Sequence, residues 1–246
     1  MAGYPYQAPL GLRCADHGHP RRDVGVPPAI IFNLKKIVLA SNSPRRKELL
    51  QGLGIPFDVL VLQGIDESYP ADLPAAEVAE YISRKKASAY LQSSMVNQEE
   101  AVILTADTIV VCDGDILGKP HSEEEAVSML QKLSGKTHQV YTGYCLTPLS
   151  SSPGQTLGSR QGQELSSLGQ HSGTVCTDVT FKILSEEEIL HYVRNFKPFD
   201  KAGAYGIQEW IGYIGITGIK GSYYNVMGLP VQRIYEELRK MGFTGN

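Results

Sequence analysis

Lys36-Ile37-Val38-Leu39-Ala40-Ser41-Asn42-Ser43-Pro44-Arg45-Arg46-Lys47-Glu48-Leu49-Leu50 passes from an apolar run to a charged, leucine-bearing segment through a single short polar turn. Ile37 to Ala40 has the length and composition of a buried strand. Ser43 suits a helix N-cap and Pro44 the first helical position, where its missing N–H is no loss. Leu49, Leu50 and Leu53 supply an apolar face, and Gly54 suits the C-cap. The unit is strand, tight loop, helix. Such a junction presents free N–H groups and the positive end of the helix dipole, which together favour an anion. Ser41, Ser43, Arg45 and Arg46 all stand on it. Cations in a first helical turn are disfavoured unless an anion rests there, and two adjacent guanidinium forks could hold more than one phosphate. A solvent-exposed basic turn explains the same residues equally well at this level.

Working outward, Phe57 to Val61 reads as a second strand, and Ala75 to Leu91 as a long helix burying Val78, Tyr81, Ile82, Ala89 and Leu91. Ala101 to Leu104 is another apolar strand, ending at Thr105-Ala106-Asp107. Ile109 to Cys112 and Ile116-Leu117 flank Asp113-Gly114, a hairpin-turn signal. Ser122 followed by three glutamates opens a helix to about Leu133. Val140 to Leu146 and Val175 to Leu184 read as strands, joined across about residues 149–173 by a Ser/Gly/Gln-rich connection expected to be a flexible insertion. Ser185 with Glu188 forms a capping box for a helix to about Asn195, and a last helix runs from Val231 to Met241. Residues 1–34 read as a disordered tail and 35–246 as one domain. Strands and helices interleave, so the fold class is α/β, with a mixed twisted sheet flanked by helices.

Composition sets outer limits. The chain has 246 residues, 20% charged and 42% hydrophobic, with a formal net charge of -3, which gives no electrostatic case for binding long nucleic acid. No apolar run approaches the ~20 residues of a membrane span. Cys14, Cys112, Cys145 and Cys176 form no CxxC pair, so reduced thiols in the cytoplasm are expected.

Other residues suggest chemistry. Asp107, at the end of an apolar strand, stands where open α/β sheets hold ligands; a carboxylate there can deprotonate a water or ligate a divalent cation. A strand-end Asp bonded to a nearby turn is the competing explanation. In Gly118-Lys119-Pro120 the proline keeps the chain extended beside Lys119. Lys201 to Gln208 is small and glycine-punctuated, so backbone can approach a ligand while Gln208 offers a donor and an acceptor. Lys220-Gly221-Ser222 lacks the spacing of a P-loop.

Ser41-Asn42-Ser43-Pro44-Arg45-Arg46, Ala106-Asp107-Thr108, Gly118-Lys119-Pro120 and Asp200-Lys201-Ala202-Gly203-Ala204-Tyr205-Gly206-Ile207-Gln208 together resemble the Maf family of nucleotide pyrophosphatases, in family order from about Lys36 to Met241. The resemblance implies hydrolysis of a nucleoside triphosphate to monophosphate and pyrophosphate, with Mg²⁺ or Mn²⁺, in a Maf/ITPase-like fold around a central nucleotide-binding cleft. It implies Asp107 as the catalytic base and proton acceptor, and Arg45, Thr108 and Gln208 in substrate selection. Ser41, Arg46, Lys119 and, within Arg84-Lys85-Lys86-Ala87, Lys86 are implied for substrate binding. Glu67, within Ile65-Asp66-Glu67, joins Asp107 as an implied metal ligand. The Ala-Gly-Ala-Tyr-Gly-Ile-Gln form resembles the subgroup acting on dTTP and UTP, and modified pyrimidine nucleotides fit the same expectation. A purine or 7-methyl-GTP pyrophosphatase, or a non-catalytic nucleotide-binding regulator, are the alternatives. The family also allows a homodimer.

Overall fold

The computed structural model describes residues 36–93, 101–149 and 169–242; the expected N-terminal tail and most of the expected insertion lie outside them. β1 (Lys36–Leu39) leads through the Ser41–Ser43 turn into α1 (Pro44–Gln51), where the Ser43 hydroxyl accepts the Arg46 N–H at 3.4 Å. The helix ends at Gln51 with Gly52 as its C-cap. Gly54, expected there, lies in the turn beyond at φ 68°, donating to the Gln51 carbonyl at 3.0 Å. β2 (Phe57–Val59) and β3 (Ala101–Cys112) flank β1 and run parallel to it, with α2 (Ala75–Gln92) between them in the chain. Asp113 and Gly114, both at positive φ (53° and 84°), turn the chain into β4 (Asp115–Leu117) as that turn type demands.

α3 (Glu123–Leu133) and α4 (Glu186–Phe196) start at the expected caps, Ser122 and the Ser185–Glu188 box. Between them come β5 (Thr137–Pro148) and β6 (His171–Phe181); β6 starts ahead of the expected Val175. α5 (Trp210–Gly215), β7 (Ile216–Lys220) and α6 (Tyr223–Met227) occupy the Gly- and Tyr-rich region that has no clear period, and α7 (Val231–Lys240) follows. The sheet has seven strands in the order β2-β1-β3-β5-β6-β7, with β4 paired to β3; the pairs from β3 through β7 are antiparallel. It is the mixed, helix-flanked sheet that the interleaved pattern implies.

β3 corrects one expectation. It is continuous through Thr105, Asp107 and Thr108, so Asp107 lies mid-strand. The polar side chains that read as a strand end are satisfied inside the fold: Thr105 donates to the Ser83 carbonyl at 2.7 Å, and Asp107 accepts from Lys86. Side-chain alternation splits β3 between two layers. Val102, Leu104, Ala106, Val110 and Cys112 join the main core with α1 and α3 to α7, whereas Ile109 and Val111 pack with Val78, Ala79 and Ile82 of α2. α2 buries Ser83 and Lys86 along with its apolar stripe, while Tyr81, expected inside, is 39% exposed. The buried face of this helix is thus partly polar, because it looks onto a site.

Candidate active site

β1 pairs with β3 only as far as Leu104, and β4 takes up the same edge at Val110. The unpaired stretch between them opens a cleft of about 620 Å³. All nine residues singled out in the sequence line it: Ser41, Arg45, Arg46, Glu67, Lys86, Asp107, Thr108, Lys119 and Gln208. Five cationic side chains (Arg45, Arg46, Lys86, Lys119, Lys201) face three carboxylates (Glu67, Asp107, Asp200). A chain that is acidic as a whole therefore has a locally cationic cavity, which suits a polyanion.

Arg46 is not a free phosphate fork. Its Nη1 donates to the Ala106 carbonyl at 2.8 Å, filling the place that a neighbouring strand would otherwise take on that edge. Nε donates to the Gly228 carbonyl at 2.8 Å, Nη2 to the Thr108 hydroxyl at 3.1 Å, and Nη1 reaches Ser41 Oγ at 3.5 Å. Most of its five donors are held by protein, so it brings the cleft a fixed charge and little directional bonding. Burial lowers its pKa, opposed by Asp107 and Glu67 and aided by Arg45, yet a guanidinium starts so high that it stays protonated.

The bond to Thr108 has a fixed direction. Thr142 gives its one hydroxyl hydrogen to the Asn225 carbonyl at 2.9 Å, so at the 3.0 Å contact between the two threonines Thr108 must be the donor. Thr108 then accepts from Arg46 and has no hydrogen left for a ligand. The residue implied for substrate selection serves, in this structure, as an anchor for Arg46.

Asp107 and Glu67 converge on one ammonium. Lys86 Nζ lies 2.7 Å from Asp107 Oδ1 and 2.9 Å from Glu67 Oε1. Asp107 and Lys86 are 8% and 9% exposed, so the pair is shielded from water on most sides yet opens on the cleft. Burial pushes the Glu67 carboxyl up, but the Lys86 hydrogen bond and charge outweigh it, with Lys119 and Arg46 behind, and the net direction is below the ordinary value. No hydrogen bond among the described residues takes up Asp107 Oδ2, which leaves that oxygen for a water. Among the described residues no group of three His, Cys, Asp or Glu gathers as a closed metal cage. Mg²⁺ nevertheless commonly takes only one or two carboxylates from a protein, with phosphates and waters completing its shell; Lys86 occupies the point that Asp107 Oδ1 and Glu67 Oε1 share, so the two residues fit such an ion through their other oxygens.

Arg45 is also engaged. Its Nη1 pairs with Asp200 Oδ2 at 2.8 Å, which answers the unfavourable placing of a cation in a first helical turn. Asp200 in turn holds Lys201 at 2.7 Å, Lys201 holds Glu209 at 3.0 Å, and Glu209 bonds the Tyr192 hydroxyl, which accepts the Gly206 N–H at 3.0 Å. This chain of contacts fixes the 201–208 segment against the cleft. Asp200 and Lys201 lie inside the Asp200–Gln208 motif, where nothing local marks them as site residues, and Thr142 and Asn225 carry no local signal at all. Lys119 makes no ion pair among the described residues, so its ammonium is available to a ligand. Gln208 Oε1 is buried and without a hydrogen-bond partner among the described residues. Ser222, in the Lys220-Gly221-Ser222 run that lacks P-loop spacing, caps α6, accepting the Asn225 N–H at 3.3 Å.

The chain is similar to known proteins over most of its length. A family model described as Maf-like protein matches residues 36–241. A Bacteroides thetaiotaomicron protein named dTTP/UTP pyrophosphatase is 54% identical over 214 residues, covering 86% of this chain and 100% of that protein. A Phocaeicola vulgatus protein of the same name is 55% identical over 206 residues, 84% of this chain and 96% of that one. One from Flavobacterium psychrophilum, again of that name, is 42% identical over 204 residues, 83% and 93% of the two chains.

Proposed function

The chain belongs to the Maf-like family, and from that premise we propose that it is a nucleoside triphosphate pyrophosphatase that hydrolyses dTTP and UTP to the monophosphate and pyrophosphate. The observation that carries the reading is the pairing of Asp107 with Lys86 and Glu67 on the floor of a cationic cleft, in a chain about half identical to proteins named for that activity.

The reaction joins a water oxygen to the α-phosphorus and breaks the bond from that phosphorus to the bridging oxygen of the departing pyrophosphate. Asp107 accepts the proton of the attacking water, on the oxygen that Lys86 leaves open. Lys86, held between Asp107 and Glu67, fixes the orientation of the base. Lys119 and the fixed charge of Arg46 face the triphosphate, where negative charge shifts to the leaving group; placing such charges beforehand is commonly the largest catalytic contribution. Arg45 turns a further guanidinium N–H to a phosphate oxygen while Asp200 holds its Nη1. A divalent cation held by Glu67 and Asp107 would supply Lewis-acid polarisation of phosphoryl oxygens.

The deciding experiment is pyrophosphate release from dTTP and UTP by the wild-type chain and by Asp107→Asn, with Mg²⁺ or Mn²⁺ present. The variant should retain nucleotide binding, measured calorimetrically, and lose at least about a thousandfold in kcat. Undiminished turnover would remove Asp107 as the base. Modified pyrimidine triphosphates belong in the same substrate panel, because a house-cleaning role predicts turnover of them as well. GTP or 7-methyl-GTP outcompeting dTTP would favour the purine alternative, and wild-type binding without release would favour the regulator. Among the described residues no helix is long and apolar enough to cross a membrane. Free, buried Cys112 and Cys145 are in keeping with action in the cytoplasm. A homodimer is part of the same reading, to be tested by sedimentation.

A further inference from the structure

We infer that Asn225 is a positioning residue for Arg46, fixing the guanidinium from two directions without lining the cleft itself; the inference rests on the cleft being a triphosphate site, as proposed above. Asn225 is fully buried at the third position of the short helix α6. Its side-chain amide donates to the Val140 carbonyl and to Thr177 Oγ1, both at 3.0 Å, and so seats α6 on β5 and β6. A helix of five residues is too short to persist without such tertiary bonds.

From that seat, the Asn225 main-chain carbonyl does two things. It accepts the Thr142 hydroxyl, which sets the direction of the Thr142, Thr108 and Arg46 hydrogen bonds in series and leaves Thr108 Oγ1 an acceptor for Nη2. It also accepts the Gly228 N–H at 3.0 Å, which closes α6 and aims the Gly228 carbonyl at Nε. Gly228 sits at φ 110°, a conformation that favours glycine, and a Cβ there would lie 3.7 Å from Arg46 Nε. Two of the three short anchors of the guanidinium thus trace to one buried asparagine, and only the Ala106 carbonyl belongs to β3 independently. An arginine whose donors are already taken up contributes by where its charge stands, so its contribution depends on the residues that keep it there.

Replacing Asn225 itself risks the seat of α6, so the deciding variant is Thr142→Val, which keeps the side-chain volume, lies outside the cleft and removes only the hydroxyl link. It should lower kcat for dTTP about tenfold with KM within about twofold, and Thr142→Ser should restore most of the loss. In an Arg46→Ala background the same change should have no further effect on kcat, as expected when one residue acts through the other. The Arg46 side-chain N–H signals, slow to exchange in wild type by NMR, should exchange faster in Thr142→Val. Wild-type kcat in Thr142→Val, or losses that multiply in full with Arg46→Ala, would overturn the inference. Were the wild-type chain to release no pyrophosphate, the functional reading would fall, and the exchange measurement would still decide whether this series of bonds holds Arg46: unchanged exchange in Thr142→Val overturns it.

Discussion

Gln208 lines the cleft with a buried carbonyl oxygen that nothing among the described residues satisfies. An orphan acceptor of that kind costs about 1–3 kcal/mol, which a donor on a ligand recovers. Uracil and thymine carry an imide N–H beside carbonyl oxygens, and a side-chain amide can match both. Gln208→Ala should therefore lower kcat/KM for dTTP by about tenfold or more and leave kcat/KM for GTP unchanged. Competition between the two substrates measures this, and an unchanged ratio would take Gln208 out of base recognition. At this scale the sequence was informative only about groups that themselves do chemistry. Asp107, Lys119 and the Ser-Arg turn stand out because anion chemistry calls for those side chains there. Glu67 and Lys86 came through family resemblance alone. Asn225 and Thr142 left no trace, since a side chain that only holds another needs no particular neighbour in the chain. The two arginines were legible as a pair, but their internal partners, Asp200 and the Ala106 and Gly228 carbonyls, lie between 60 and 182 residues away.

Among the elements, α2 carries Lys86 and must approach the sheet closely to bring it onto Asp107. Gly143, paired with Asp107 across β3 and β5, makes that approach possible: a Cβ there would sit 2.2 Å from the backbone of Ala79 and Glu80. Gly143→Ala should push α2 outward, cost at least about 3 kcal/mol of stability in urea unfolding, and separate Lys86 from its partners, so that turnover falls even where the variant is folded. A Gly143→Ala protein of wild-type stability would show that the helix is not held this closely in solution. Helix starts were the most readable part of the chain, because Ser43, Ser122 and Ser185 each cap locally. The local pattern ends β3 early because its polar residues are satisfied by α2 and α1, elements distant in sequence. α5, β7 and α6 were too short and glycine-rich for a period to emerge.

For the molecule as a whole, the α/β class follows from the interleaving of elements, whereas strand order does not, because local pattern says nothing about which strands pair across the chain. One consequence of the assembled core is a dependence on pH. His138 is fully buried, with Nε2 2.8 Å from the Tyr205 hydroxyl and Nδ1 unpartnered among the described residues. Burial lowers its pKa from 6.5 to about 4. The unfolded chain takes up this proton as pH falls below 6.5 and the folded chain does not until about 4. Its contribution is thus complete above the upper value and lost across that window, roughly 3 kcal/mol in all. His138→Gln should flatten this part of the stability profile in urea titrations over the same range, and an unaltered slope would assign it to carboxylates instead.

The Arg46 to Gly228 bond closes a loop 182 residues long. On the ribosome, the phosphate turn emerges 182 residues ahead of the carbonyl that steadies it. A growing chain therefore already carries Asp107 and its lysine while one of the three short anchors of the arginine beside them has yet to be made.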